Sequence, residues 1–467
     1  MDGENVMKIL LVKPIIKTYY VVIPPIGLGY ISAIMLENGH EVYIFDAGKD
    51  NKTWQEFTEQ ITENKYNIIG FQMFSHEIAA TKKHIEIIKK YSSDSTIIIG
   101  GAHISGDPLG TMNMLDADFG FVGEAELGIE AFIKLNKDDY NNEDKLSEIP
   151  NLVWMRESKI VVNEKQVIDN LDTIDYPAWD LMHPQSYPTL PLGCFCKQPP
   201  VAPMIVSRGC PYPCTFCGGK NITGKIMRYR SIENVIREII LLNNEYGVKE
   251  INFLDDNFTS QKQYVMDFCR RVIELRLNIV FALPNGCRLN TLDKEVVELM
   301  ERAGFYSMAV GIESGSNRVL KLMRKNLTVE MIEEKITLIK KYTNIKLTGL
   351  FMIGYPGETV EDIESTIRFS KQLKLDKASF AYVMPLPGTE LYENYKLTHK
   401  DIQWDNFFYY RTIGDMTDIP VRKLRKLHRK AFVGFYYRPC ILWGILKEIK
   451  TVEQVKKIII RILNIYQ

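Results

Sequence analysis

The chain lacks net charge: Lys and Arg together number 58, and so do Asp and Glu. No global field therefore draws it to nucleic acid. It lacks a membrane-spanning stretch, since no apolar run reaches the ~18 uncharged residues that a span needs. It also lacks a disulfide framework. The eight cysteines are Cys194, Cys196, Cys210, Cys214, Cys217, Cys269, Cys287 and Cys440, and they bunch instead of spreading. No secretory signal precedes Met7, so a reducing cytoplasm is the expected compartment. What is present is the composition of a folded protein, 46% apolar and 25% charged, in 467 residues. That length is too great for one ordinary core.

The densest chemistry lies in Ser207-Arg208-Gly209-Cys210-Pro211-Tyr212-Pro213-Cys214-Thr215-Phe216-Cys217-Gly218-Gly219. Three cysteines at spacings of four and three follow a β-like run, and the prolines and glycines forbid a regular helix. Three thiolates in one tight loop suit an iron–sulfur cluster, and in a four-iron cluster three ligands leave one iron open. The competing readings are a structural zinc site or unligated thiols. Zinc normally takes four closed ligands, and no fourth Cys or His follows at suitable spacing. Cys194 and Cys196 lie upstream and would be the candidates to complete such a site or to bind a second metal.

Along the chain, strands are expected at 7–12, 41–45, 68–73, 96–99 and 119–124, alternating with helices near 26–38, 53–64, 77–91 and 126–135. Such alternation implies a doubly wound parallel sheet, Rossmann-like or flavodoxin-like, with ligands beyond the strands' C-terminal ends. Ser75, Gly100, Gly101, His103, Gly123 and Glu124 fall at those ends. A polar stretch, 136–150, marks a boundary, and a hairpin at 151–163 and a proline-rich passage at 171–203 lead to the cysteine loop. Six further strands are expected at 203–207, 250–254, 279–283, 307–311, 347–353 and 378–384, with helices near 231–246, 261–275, 293–303, 328–342 and 360–373. They predict a complete or partial β/α barrel whose chemistry sits where the strands end. The expected domains are 1–135, a linker at 136–200, a barrel at 201–395 and a helical C-terminal region at 396–467. From residue 420 onward there are twelve Lys or Arg against Glu448 and Glu453, so 12 − 2 = +10, interleaved with aromatic and aliphatic residues.

At these residues the chain resembles a known family. Cys210-x3-Cys214-x2-Cys217, with Phe216 before the third cysteine, looks like the signature of radical S-adenosylmethionine (SAM) enzymes. Gly311-Ile312-Glu313-Ser314-Gly315 and Gly354-Tyr355-Pro356-Gly357-Glu358-Thr359 add to it. Pro24-Pro25-Ile26-Gly27-Leu28-Gly29, Asn38-Gly39-His40-Glu41-Val42, Gly100-Gly101-Ala102-His103 and Gly123-Glu124 resemble the cobalamin-binding class of that family. The resemblance runs from about residue 7 to about 395. It implies an N-terminal cobalamin-binding domain, a partial (β/α)6 TIM-like radical SAM barrel and three cofactors: a [4Fe–4S] cluster, SAM and cobalamin. The Asp-x-His-x-x-Gly sequence that ligates cobalt from below in many B12 proteins is missing. His103 is expected at the cofactor edge or within its own loop more than as an axial ligand.

The resemblance assigns Cys210, Cys214 and Cys217 to the cluster, with SAM chelating the open iron, and places Phe216 near the adenine. Asp255 and Asp256 follow the second barrel strand, where the family binds the SAM amino group; a helix N-cap is the plain alternative. Glu313 and Ser314 are expected at the ribose or methionine moiety. Arg288 would neutralise the methionine carboxylate or form a structural salt bridge. Gly354, Gly357 and Glu358 would line the adenosine, although Glu358 also suits a first helical turn. In the N-terminal domain Ser75, Gly100, Gly101, His103, Gly123 and Glu124 would surround the corrin and its nucleotide tail. The implied function is methylation of an unactivated carbon through methylcobalamin, after cleavage of SAM to a 5′-deoxyadenosyl radical. The alternatives are a radical cyclisation or rearrangement, as in anaerobic porphyrin cyclases, and a non-enzymatic corrinoid and iron–sulfur carrier. Expected partners are a small-molecule or lipid substrate and a low-potential donor, flavodoxin or ferredoxin. The basic C-terminal region suggests peripheral membrane contact.

Overall fold

The computed structural model describes residues 6–16, 22–188, 196–399, 402–404, 407–412, 416–452 and 454–459; Cys194 lies outside them. Two compact units make up the chain. The first comprises Met1–Tyr187, Cys217–Arg228 and Pro385–Asp405, the second Pro188–Phe216, Tyr229–Met384 and Asn406–Gln467.

In the first unit, β1 (Lys8–Lys13), β2 (Glu41–Asp46), β3 (Ile68–Gln72), β4 (Thr96–Gly100) and β5 (Phe119–Phe121) run parallel in the order β2-β1-β3-β4-β5. Their middles are apolar on both faces because helices cover both sides. Strand order reverses at β1, and a doubly wound sheet binds its ligand at such a switch point. Thr53 and Glu56 form a capping box that starts the helix Trp54–Glu63.

The hairpin expected at 151–163 is part of this sheet. Its strands β6 (Leu152–Arg156) and β7 (Lys159–Val162) add antiparallel to β5. The unit therefore continues past the boundary expected at 135: Leu146, Ile149, Leu152 and Trp154 are buried in one cluster with Phe119, Phe121 and Phe132. Those apolar anchors tie down a stretch that looks, by composition, like a linker.

In the second unit, β8 (Val201–Met204), β9 (Glu250–Phe253), β10 (Val280–Cys287), β11 (Phe305–Glu313), β12 (Lys346–Ile353) and β13 (Lys377–Tyr382) form one parallel sheet in chain order. Among the described residues no pairing closes β13 onto β8, so the barrel is partial. Phe253, Phe268, Phe281 and Phe305 pack ring to ring between the sheet and the helix Lys262–Leu275. Each buried phenylalanine contributes roughly 1.5–3 kcal/mol.

An open sheet leaves an edge with unpaired backbone groups, which must be covered. The C-terminal helix Val421–Tyr436 does this for β13. The Tyr436 hydroxyl donates to Ala378 O at 2.7 Å and accepts from Ala378 N at 3.2 Å. His428 Nε2 meets Phe380 O at 2.8 Å, and burial lowers the His428 pKa to about 4, which keeps the ring neutral.

Candidate functional site

In the second unit the cysteine loop follows β8. Cys214 is buried, Cys210 is half-buried, and Cys217, with which the chain passes into the first unit, is exposed. The loop is fixed through Thr215, whose N–H donates to Met323 O at 3.2 Å and whose hydroxyl meets that of Tyr355 at 2.6 Å. Burial pushes the Cys210 thiol up, as do the charges of Asp256 and Cys214, against a Tyr212 backbone hydrogen bond and the charge of Arg288. Among the described residues no three His, Cys, Asp or Glu side chains already form a metal cage. Burial and the Glu250 charge push the Cys196 thiol up to about 12.

Arg288, after β10, is buried against this loop. Its guanidinium carbon lies 3.6 Å from the Tyr212 ring centroid and its Nη1 3.7 Å from Cys214 Sγ, while Nη2 donates to Lys325 O. Its Nε reaches Asn290 Oδ1 at 3.4 Å. Lys325, which no motif pointed to, pairs through Nζ with Glu313 Oε1 at 2.6 Å and lies 5.9 Å from the Phe216 ring centroid. Glu313 ends β11 at φ +66°, a left-handed conformation that a non-glycine residue rarely adopts and that clusters at functional sites. A Cβ on Gly311 would stand 2.7 Å from both Glu313 Oε1 and Lys325 Nζ, so this glycine makes room for the ion pair. Ser314 is buried, with its hydroxyl 3.2 Å from Thr366 Oγ1.

Asp255 and Asp256 diverge. Asp255 is buried and turns back onto the strand that feeds the loop: its Oδ1 accepts from Ser207 N at 2.5 Å, Ser207 Oγ at 2.6 Å and Val206 N at 3.2 Å. Burial raises its pKa to about 7 in spite of those bonds. Asp256 is exposed beside it. Glu358 closes the turn after β12 by accepting from Gly354 N at 2.7 Å and Tyr355 N at 3.2 Å, with Gly354 and Gly357 at positive φ. Burial raises the Glu358 pKa to about 7, and its Oε1 is buried without a partner.

In the first unit the residues expected at the strand ends play different parts. His103 is buried with Nδ1 2.9 Å from Ser75 Oγ, its ring edge-on to Trp404 at 4.4 Å, and its Nε2 without a partner. Burial lowers its pKa to about 4, so the ring is neutral. A Cβ on Gly100 would meet only Phe71 O, at 3.9 Å, whereas one on Gly101 would stand 2.6 Å from Met73 O. A side chain at Gly100 would thus meet only ordinary contact, whereas Gly101 serves strand packing. Gly123, at φ +69°, donates its N–H to Ser105 Oγ at 2.9 Å. Glu124 is bound to Arg228, with Nη1 to Oε2 at 3.0 Å and Nη2 to Oε1. The orphaned His103 nitrogen suits a bound group that offers it a hydrogen-bond partner. Glu124 is occupied by its arginine.

Comparison with known proteins places the chain in a family. A model of the radical SAM superfamily matches residues 204–370, and a B12 binding domain matches residues 12–133. An uncharacterized methyltransferase of Pyrococcus horikoshii is 32% identical over 456 residues, covering 94% of each chain. The chain belongs to the cobalamin-binding radical SAM enzymes. Cytidylyl-2-hydroxyethylphosphonate methyltransferase of Streptomyces wedmorensis is 25% identical over 443 residues, 84% of this chain and 82% of its own. The radical SAM methyltransferase TsrM of Kitasatospora setae, solved with cobalamin and a [4Fe–4S] cluster, has the same fold: TM-score 0.67, 16% identity, 84% of this chain and 79% of TsrM. The family's cofactors are a [4Fe–4S] cluster, SAM and cobalamin, and its members are enzymes.

Proposed function

We propose that this enzyme transfers a methyl group from SAM to an unactivated carbon of a small molecule. One observation carries the reading: the cobalamin-binding and radical SAM modules lie in a single chain that aligns nearly end to end with a methyltransferase. When bound, the cluster and SAM supply a radical that takes hydrogen from carbon, and cobalamin supplies a methyl carrier.

The protein's share is placement. Cys210, Cys214 and Cys217 donate thiolates and leave one iron open for SAM. Phe216 stacks beside the adenine, and Glu313, held by Lys325, faces the ribose with Ser314 beside it. Gly354 and Gly357 let the backbone approach the adenosine, and Glu358 fixes their turn. Asp256 meets the SAM ammonium, while Asp255 positions the loop. Arg288 acts on the Cys214 sulfur instead of the SAM carboxylate, because its nitrogens are already engaged. Ser75, Gly100, Gly101, His103 and Gly123 border the corrin, and Glu124 acts through Arg228 on the chain around it. A low-potential flavodoxin or ferredoxin delivers the electron, in the cytoplasm.

The test is product stoichiometry. Anaerobically reconstituted protein supplemented with hydroxocobalamin is expected to hold about one corrinoid per chain and to form S-adenosylhomocysteine alongside 5′-deoxyadenosine. 5′-Deoxyadenosine without S-adenosylhomocysteine would mean cyclisation or rearrangement, and no corrinoid uptake would remove cobalamin from the reaction.

A further inference from the structure

The helix Val421–Tyr436 has one apolar stripe, and Leu424, Leu427, Ala431, Phe432 and Phe435 bury it in its own unit. The next helix, Pro439–Glu448, is apolar on two sides. Ile441 is its buried residue. On the opposite face lie Leu442, Trp443 and Leu446, with Trp443 61% and Leu446 59% exposed. At ~100° per residue these three positions share one face. Tyr437, 71% exposed, and Val452, 72% exposed, flank the helix in sequence. Isolated exposed apolar residues are ordinary, but a contiguous patch marks a docking surface.

Among the described residues the charges beside the patch, Glu448 apart, are basic. Lys447 Nζ lies 5.1 Å from the Trp443 ring centroid, and Lys450 and Lys456 are exposed just beyond. Glu448 does not offset them, because its carboxylate is spent on Lys377, at 2.7 Å, and Lys346. Leu442, Leu446 and Val452 carry no hydrogen-bonding side-chain group, as insertion into an apolar phase requires. An exposed indole beside apolar side chains, with lysines that can reach outward along their stems, is the chemistry of a bilayer interface.

We propose that this face docks on an anionic lipid bilayer, with Leu442, Trp443 and Leu446 entering the headgroup boundary and Lys447, Lys450 and Lys456 meeting lipid phosphates. The contact is peripheral: no helix among the described residues is long and apolar enough to cross a membrane.

The test is flotation of the reconstituted full chain with vesicles of phosphatidylcholine alone or mixed with phosphatidylglycerol. The protein is expected to float with the anionic vesicles and not with the neutral ones, and about 0.5 M salt should loosen it. Trp443→Asp with Leu446→Asp, and separately Lys447→Glu with Lys450→Glu, should each lower the bound fraction about tenfold or more. Because these side chains face solvent, the circular dichroism and Tm of the variants should match the parent; Leu397→Asp, an exposed apolar residue on another helix, should float like the parent. Flotation that ignores both variant pairs, or no flotation at all, overturns the proposal. So does flotation only after residues 460–467 are removed, which would make the face a seat for the chain's own terminus. A dimer in sedimentation that Trp443→Asp dissociates, or an acidic electron carrier retained only by the parent in the absence of vesicle binding, would also overturn it.

Discussion

Arg288 Nη1 lies 3.7 Å from Cys214 Sγ, and the same guanidinium stacks 3.6 Å from the centroid of Tyr212 in the cysteine loop. A buried positive charge this near a thiolate ligand would favour the reduced, more negative state of a cluster bound there, and removing it would disfavour reduction. Arg288→Gln is therefore expected to shift the midpoint potential of the bound cluster to more negative values, read by redox titration with electron paramagnetic resonance. It should also cost about 1–3 kcal/mol, because the Lys325 carbonyl and the Cys214 sulfur lose their donor. An unchanged potential together with weakened SAM binding would return Arg288 to the carboxylate.

Glu313 and Lys325 form a buried ion pair. Removing one member leaves the other buried and uncompensated, so Lys325→Ala is expected to cost about 3–5 kcal/mol. Lys325→Met combined with Glu313→Gln should cost less than the sum of the single changes. Gly311→Ala should destabilise as well, since its methyl group would collide with both charged atoms. Urea unfolding of the parent, Lys325→Met, Glu313→Gln and the double variant measures the coupling; strictly additive losses would show that the pair is not a unit.

Glu358 gives a pH signature. Its pKa rises from 4.5 in the unfolded chain to about 7 in the fold, chiefly through burial. The native state therefore binds a proton that the unfolded state has released. That stabilising contribution is complete below about 4.5 and is lost as pH rises through about 7. In Glu358→Gln the side-chain oxygen can still accept from Gly354 N and Tyr355 N, and nothing ionises. Compared with the parent, it should lose less stability between pH 5 and pH 8 in urea midpoints. Parallel curves would contradict the shift.

Much of this was legible from the residues. Buried parallel strands announce themselves as short apolar runs, and β1 to β5 and β8 to β13 fall close to where those runs lie. The cysteine loop is local and needs no tertiary information. What was not legible is long-range pairing. Glu124 looks like a ligand at a strand end, but its partner Arg228 lies 104 residues away. Asp255 has the same look, and its bonds run back to Val206 and Ser207. Lys325 sits between Arg324 and Asn326, both left-handed, and its pairing with Glu313, twelve residues earlier, has no signature in the sequence. The stretch 136–150 was misleading for the opposite reason: its polar composition hides Leu146 and Ile149, two residues that join it to the first core.

The measurement closest to the central claim is SAM cleavage by the cysteine variants. Reconstituted parent protein, reduced at low potential without oxygen, is expected to show the absorbance of a [4Fe–4S] cluster and to release 5′-deoxyadenosine. Cys210→Ala, Cys214→Ala and Cys217→Ala should each lose the cluster and the product while the chain remains folded. Release of 5′-deoxyadenosine by any one of the three at the parent's rate would contradict the account.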